Sequence, residues 1–465
     1  MWFLGIDIGT THLKVAGVTA EGTELPAGRV RTPTVLADGL TFHDAEAIWR
    51  TTADLIGEYA RTTAAGHGPL GGACVASFGQ EESVAVDRAG RMVHPSLAWW
   101  ESWPARALAP EVTARLDAFE QYRVSGLRHR LNQTPERTAQ LRAREPDTWR
   151  STVRWVDFCT FVTQRLTGEW AGATSQVTHS QCFDLTTLAP HLPTLELLDL
   201  APELFAPALP TGAVAGELVP QALPGVRIAP GARVVVGGHD QVVAARQVHA
   251  MSGAGVFDSI GTSEYLMVTT ETFAPRQRSY ELGIDHERSW REDGYLLGYP
   301  TPSGKVVHLL AELFHGGDFD ALFQGLAGTR ADGLPALRVT VHADDTGTGL
   351  LDLAGLPAGA RPVDVVRACL DHLADLTRTR VDEMCELAGT RPASVALMGS
   401  LFRRPEMAAH RRERWQVPLH ISPLAEPVAL GAAAIAREAA LPEARGGTAP
   451  EARSAHPGDQ HRELT

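Results

Sequence analysis

Two short phrases of the chain have the residue types of phosphate-holding turns. Asp7-Ile8-Gly9-Thr10-Thr11 lies near the start, and Asp258-Ser259-Ile260-Gly261-Thr262-Ser263 follows about 250 residues later. Glycine lets the backbone come close to a ligand, and the neighbouring N–H and hydroxyl groups can hold phosphate oxygens. One such turn is weak evidence. Two of them, each with an acidic residue nearby, point to a nucleotide held in a cleft between two related units. A further candidate is Asp240 in Gly237-Gly238-His239-Asp240-Gln241, directly after the β-branched run 232–236. Such a run suits a strand buried on both faces, and polar groups at strand ends line ligand crevices in open α/β sheets. An aspartate after glycines is equally at home as a turn or helix N-cap residue.

The elements that must position these residues can be read around them. Apolar stretches at 2–6 and 13–18 flank the first turn and predict a β-hairpin, and those at 255–257 and 265–268 flank the second. A helix is predicted over 45–62 and a strand over 72–77. The strand opens into the polar loop Phe78-Gly79-Gln80-Glu81-Glu82-Ser83 and returns through 84–86. The pattern from 105 to 166 is mostly helical, and 224–231 is a turn-rich approach to the strand before Asp240. The units are placed at 1–247 and 248–440. The stretch 441–465 is rich in Pro, Gly, Ala and charge without apolar period, and reads as a disordered tail.

Composition bounds the function. A chain of 465 residues is too long for one ordinary core and predicts two or three domains of α/β size, and a content of 44% hydrophobic and 21% charged residues is that of a soluble globular protein. The formal net charge of -13 argues against general binding to nucleic acid or to an anionic membrane. Cys74, Cys159, Cys182, Cys369 and Cys385 are scattered and contain no C-x-x-C pair, as expected of reduced structural thiols in a cytoplasmic protein. The first residues lack the features of a signal peptide, and no run reaches the roughly 18 apolar residues of a membrane span.

With these residues in place, the chain resembles the FGGY family of carbohydrate kinases. The likeness runs through Asp7 to Lys14, Arg165-Leu166-Thr167-Gly168-Glu169, Gly237-Gly238-His239-Asp240 and Ser259-Ile260-Gly261-Thr262-Ser263. It continues through Ser303-Gly304, Gly399-Ser400-Leu401-Phe402-Arg403-Arg404-Pro405 and Glu426-Pro427-Val428-Ala429-Leu430-Gly431-Ala432-Ala433, and leaves out only the tail. The resemblance implies an α/β chain of two ribonuclease H-like, actin-like ATPase domains around a nucleotide cleft. It implies ATP and Mg²⁺ as cofactors.

Site residues follow from the same resemblance. A sugar hydroxyl is a poor nucleophile at neutral pH, so phosphoryl transfer to it calls for a positioned base, and Asp240 stands where the family has its catalytic aspartate. Asp7 is expected near Mg²⁺, because hard cations favour carboxylate oxygens beside phosphates. Thr10, Thr11, His12 and Lys14 match the first phosphate turn, and Gly261 and Thr262 the second. A turn-forming role for Asp7 and a surface role for Lys14 remain the plain alternatives. Gly304, His308, Gly399 and Arg403 match nucleotide-contacting positions, although Met398 replaces one glycine of the usual pair.

The loop Gln80-Glu81-Glu82-Ser83 matches the Gln-Arg-Glu-Thr of the family's glycerol kinases, with Glu81 in place of arginine. Together with Trp100, Glu101 and Gln241 it supplies the expected substrate contacts, Glu81 being the member open to solvent. A loop of solvated acids is the alternative. The expected activity is ATP-dependent phosphorylation of a hydroxyl of a small sugar, a ketose, or of a sugar alcohol. The rival is a nucleotide-binding regulatory or scaffold protein of the same fold without turnover. A small sugar or polyol is the expected partner, a homodimer is allowed, and neither nucleic acid nor membrane is expected. Gly298 to Lys305 imitates a P-loop, but Val306 stands where Ser or Thr must meet Mg²⁺.

Overall fold

The first turn sits in the hairpin that its flanks predict. Trp2–Ile8 (β1) is buried at every residue and pairs antiparallel with His12–Thr19 (β2), in a register that sets Asp7 opposite Lys14. Glu24–Arg31 (β3) continues the meander. On the other side of β1 lie the parallel strands Leu70–Ser77 (β4) and Ile228–His239 (β6), and Val214–Glu217 (β5) closes the edge antiparallel to β6. The resulting order is β5-β6-β4-β1-β2-β3. This computed structural model describes residues 1–103, 106–261, 263–326, 334, 336–342 and 350–441.

The second half repeats the plan. Val256–Ile260 (β7) and Glu264–Thr270 (β8) form an antiparallel hairpin, Tyr295–Thr301 (β10) extends it, and Asp285–Arg288 (β9) lies outside β10. Val395–Met398 (β11) and Leu419–Ile421 (β12) add in parallel on the far side of β7, giving β9-β10-β8-β7-β11-β12. The echo of sequence is thus an echo of topology, with a meander followed by parallel strands in both halves.

Alternating side chains divide each sheet into two apolar faces. On the first sheet, Leu4, Ile6 and Ile8 pack under Ala45–Arg61 (α1) and Phe158–Thr167 (α2). The Asp44 carboxylate caps α1 by accepting from the Ala47 N–H at 2.9 Å. On the second sheet, Ile260, Leu266 and Val268 pack under the 27-residue helix Pro362–Ala388 (α5), with Ser303–His315 (α4) and Pro405–Arg414 (α6) beside it.

The opposite faces are covered by an exchange. Asp240–Ser252 (α3) runs straight on from β6, yet buries Val242, Ala245 and Val248 against Phe257, Met267 and Ala396 of the second sheet. Pro427–Ala440 (α7), at the end of the second half, lays Ala432 and Ala436 against Phe3, Cys74 and Val235 of the first. A Cβ on Gly5 would lie 1.9 Å from the Ala429 carbonyl oxygen, so β1 and α7 touch backbone to backbone. The two exchanged helices also pack on each other, Val243 of α3 joining the cluster beneath α7.

One local expectation is corrected. Within the predicted helical stretch, Arg154–Asp157 is a strand that pairs with Ser83–Val86, because Trp155 and Val156 are buried there. The five cysteines are buried and unpaired by disulfides. No helix among the described residues is long and apolar enough to cross a membrane. The predicted tail lies, apart from Leu441, outside the described residues.

Candidate active site

Strand register gathers the candidate acids. Ile8 and His239 are both level with Ser77, so Asp7 on β1 and Asp240, directly after β6, stand at the same end of the first sheet, with β4 between the two strands. Two strand spacings separate their backbones by about 10 Å. A bulge between Val236 and Gly238 aims the end of β6. Gly238 has φ +119, and a Cβ there would lie 2.2 Å from Ser175 Oγ. That oxygen instead accepts the His239 N–H at 3.1 Å. Asp240 then opens α3 as its first helical residue; the N-cap position is His239, which makes no side-chain cap bond.

The acids crowd one ammonium. Lys14 Nζ lies 3.3 Å from Asp7 and 2.8 Å from Glu426. Burial raises the Asp7 carboxyl to about 6; Lys14 opposes the shift and Asp240 adds to it. Burial would lower Lys14, but Asp7 and Glu426 leave it raised. Asp240 is raised, chiefly by burial, against the opposing pull of His239 and of the Gln241 N–H, which donates to Asp240 Oδ1 at 2.6 Å. The Lys14 ammonium is thus paired with both Asp7 and Glu426, and Asp240 adds a third carboxylate to the electrostatics of this end of the sheet.

The turn itself is braced by Thr32, whose hydroxyl donates to the Gly9 carbonyl at 2.6 Å and whose N–H donates to that of Thr11 at 3.1 Å. Thr10 and His12 are partly exposed and Thr11 is exposed. The opposing turn is open at Gly261, where an added Cβ would meet no atom within 4 Å; Thr262 lies outside the described residues. Gly399 has φ +92, and a Cβ there would meet the Ile260 carbonyl at 2.2 Å, which explains the need for glycine beside β7. Gly304 is buried in the first turn of α4. His308 is exposed and edge-on to Phe319 at 4.7 Å, and Arg403 donates to the Ala425 carbonyl at 3.0 Å.

The acidic loop is built unlike a solvated one. Glu82 is 1% exposed. Its carboxylate meets His43 Nδ1 at 2.5 Å and accepts the Trp99 N–H at 3.1 Å. Gln80 donates to Ser83 Oγ at 3.0 Å, and Glu101 accepts the Thr41 N–H at 3.2 Å. Trp100 remains 41% exposed, edge-on to His43 at 5.9 Å. Glu82→Gln is therefore expected to cost about 1.5–3 kcal/mol of stability, the worth of a hydrogen bond to a charged group, and to loosen the Trp99–Trp100 loop. An unchanged urea midpoint would show that the charge on Glu82 is not what holds that loop.

The solvent-facing reading of Glu81 is corrected. Its carboxylate lies 2.9 Å from His179 Nδ1, and despite burial the cationic pull of His179 and His239 lowers it to about 2. Around this pair sits a network that sequence reasoning missed. His239 Nε2 lies 3.4 Å from Asp240 Oδ1, His179 Nε2 lies 3.4 Å from Glu287 Oε1, and the Tyr265 hydroxyl donates to Glu287. Arg130 grips both oxygens of Asp285 at 2.8 Å. His179, Asp285 and Glu287 bring potential metal-ligand atoms within 4.8 Å of one another. Arg130 donates to both Asp285 oxygens, which ties the cluster into an ion network. The available signal was His239, adjacent to Asp240; nothing local marks Glu287.

The acidic echo is also corrected. Asp258 does not line the cleft: it is fully buried, 3.1 Å from Arg411, whose guanidinium also donates to Glu264 at 2.7 Å. Glu264 accepts the hydroxyls of Thr301 at 2.7 Å and Ser303 at 2.5 Å, tying the start of α4 to β8.

Comparison with known proteins supplies the family. The sequence model of the FGGY family of carbohydrate kinases, N-terminal domain, matches residues 2–246. The chain belongs to the FGGY family of carbohydrate kinases. A search of curated proteins returns no match for this FGGY kinase. Solved structures share its fold. Xylulose kinase from Rhodospirillum rubrum superposes with a TM-score of 0.80 at 19% identity, covering 95% of this chain and 91% of that one. Gluconate kinase from Lactobacillus acidophilus gives 0.79 at 15%, covering 94% and 89%. Plasmodium falciparum glycerol kinase with ADP gives 0.78 at 15%, covering 93% and 88%. The fold of this FGGY kinase is the two-domain, actin-like ATPase fold.

Proposed function

We propose that this FGGY kinase transfers the γ-phosphoryl group of ATP to a hydroxyl of a small sugar, a ketose, or of a sugar alcohol, with Asp240 as general base. The observation that carries this reading is the placement of Asp7, Lys14 and Asp240 together at the carboxyl ends of β1 and β6, beside the glycine-threonine turn. Asp240 Oδ1 is held by the Gln241 N–H, which leaves Oδ2 to take the acceptor's proton. Mg²⁺ held at Asp7 would neutralise phosphate charge during transfer. ATP phosphates would meet Thr10, Thr11, His12 and Lys14 from one side and Gly261 and Thr262 from the other. Gly304, His308, Gly399 and Arg403 would flank the nucleoside. In this reading the unit at 1–247 carries the acceptor, beside Gln80, Glu81, Glu82, Trp100, Glu101 and Gln241, and the unit at 248–440 carries the nucleoside.

The test is ADP formation from ATP and Mg²⁺ across ketoses of four to six carbons and their alcohols, with xylulose, gluconate and glycerol included because the structural relatives are named for them. Acceptor-dependent ADP release with a product heavier by one phosphoryl group is expected. Binding of ATP and sugar without turnover would overturn the reading in favour of a nucleotide-binding protein that has lost transfer.

A further inference from the structure

Behind Asp240, two buried polar atoms face each other across the two halves of the molecule. His239 Nδ1, at the end of β6, and Glu287 Oε2, on β9, are 3.9 Å apart. Each is buried without a hydrogen-bond partner among the described residues. Buried polar groups in native proteins are nearly always paired, and 3.9 Å is about one ångström too long for a hydrogen bond. The other nitrogen of the same ring, Nε2, faces Asp240 Oδ1 at 3.4 Å. Glu287 is itself aimed: its Oε1 accepts from the Tyr265 hydroxyl. Gly298 leaves the room for this, since a Cβ there would lie 2.2 Å from the Tyr265 oxygen and 2.7 Å from Glu287 Oε1.

We propose that Glu287, reaching over from the second half, is a positioning residue that orients His239 and through it the carboxylate of Asp240, so that the base is fully aligned only when His239 Nδ1 and Glu287 Oε2 close the missing ångström between them. The inference rests on Asp240 acting as the base. In the aligned state the ring donates Nδ1–H to Glu287 and Nε2–H to Asp240. That requires an imidazolium, and although burial alone would lower it, Glu287 and Asp240 leave the His239 pKa raised. The other charged groups facing the ring are His179, which opposes its charge, and Glu81, which supports it. A fixed cation on Oδ1 keeps Asp240 ionised and leaves its second oxygen for the acceptor.

The test uses the full-length enzyme with Glu287→Gln, which keeps the shape and the Tyr265 contact. With the best acceptor of the panel, kcat is expected to fall about 10- to 100-fold with KM for ATP unchanged, within the usual range for impaired general-base catalysis. The acid limb of the pH–rate profile should move to higher pH, because Asp240 loses a stabilising cation. His239→Gln should act alike, and the double variant should be little worse than either single one, the signature of residues working through one chain of contacts. A histidine NMR titration without acceptor provides an independent arm: Glu287→Gln should lower the His239 pKa. Wild-type kcat, pH profile and His239 titration in Glu287→Gln, alongside an inactive Asp240→Asn, would overturn this inference and leave the kinase reading standing. Full activity in Asp240→Asn would overturn both. Should Glu287→Gln fail to fold, His239→Gln decides by the same kinetics.

Discussion

Asp240→Asn is expected to lose about two to four decades of phosphoryl transfer while the protein folds and binds ATP as before. Asparagine matches aspartate in size and still offers an oxygen to the Gln241 N–H, so the start of α3 is preserved. What it lacks is a carboxylate able to accept the acceptor's proton. The wild-type enzyme carries a matching pH signature. Asp240 is raised and Asp7 stands at about 6, both chiefly through burial. In the proposed mechanism each is ionised when it acts, Asp240 as base and Asp7 toward Mg²⁺. Activity should therefore fall as the pH drops through about 6, well above the range in which ordinary carboxylates titrate. Wild-type turnover in a purified Asn variant would remove Asp240 from the mechanism.

The largest expected effect on stability lies elsewhere. Arg411 is 1% exposed, pairs with Asp258 and Glu264, and donates to the Thr377 hydroxyl at 2.5 Å. Its guanidinium also lies over the rings of Phe402 and Trp415 at 5.1 and 4.9 Å. Burial drives Asp258 well above its usual range, with Glu264 adding to the shift and Arg411 opposing it; Glu264, by contrast, is held low by Arg411 against burial. Arg411→Met fills similar space but strands the Glu264 charge, and should cost about 3–5 kcal/mol, as breaking one side of a buried pair does. Because Glu264 also fixes Ser303 at the start of α4, nucleotide affinity should fall with it. A melting temperature and ATP affinity equal to wild type would refute this account; partial recovery on adding Glu264→Gln would support it.

These residues mark where sequence reading succeeds and fails. The first hairpin, α1 and the strand before Asp240 follow from local pattern, and pairing on either side of β4 brings Asp7 and Asp240 to one sheet end. The two acidic echoes were separable by counting. Asp7 precedes Gly9 by two residues, but Asp258 precedes Gly261 by three. With side chains alternating along a strand, that odd step turns Asp258 to the opposite face, toward Arg411. Arg411 itself was hidden by its neighbours in Pro405–Arg414, whose run of charges reads as a solvated helix face. Glu287 was beyond reach, because its partner His239 lies in the other half and no spacing rule links them. The strand Arg154–Asp157 was lost among helices because only its pairing with Ser83–Val86 makes it extended.

The exchanged helices give the molecule a fulcrum. A lever moves least at its pivot, and Asp240 is the first residue of α3, the helix that is rooted in one sheet and packed on the other. Where α3 meets α7 the contact is made by Val243 and small residues such as Ala432 and Ala436, a surface suited to sliding by fractions of a side chain. Under the proposed mechanism, large swings at the cleft's rim would reach Asp240 only as small displacements, on the scale that separates His239 Nδ1 from a hydrogen bond to Glu287, while the rim stays free to admit and release ligands.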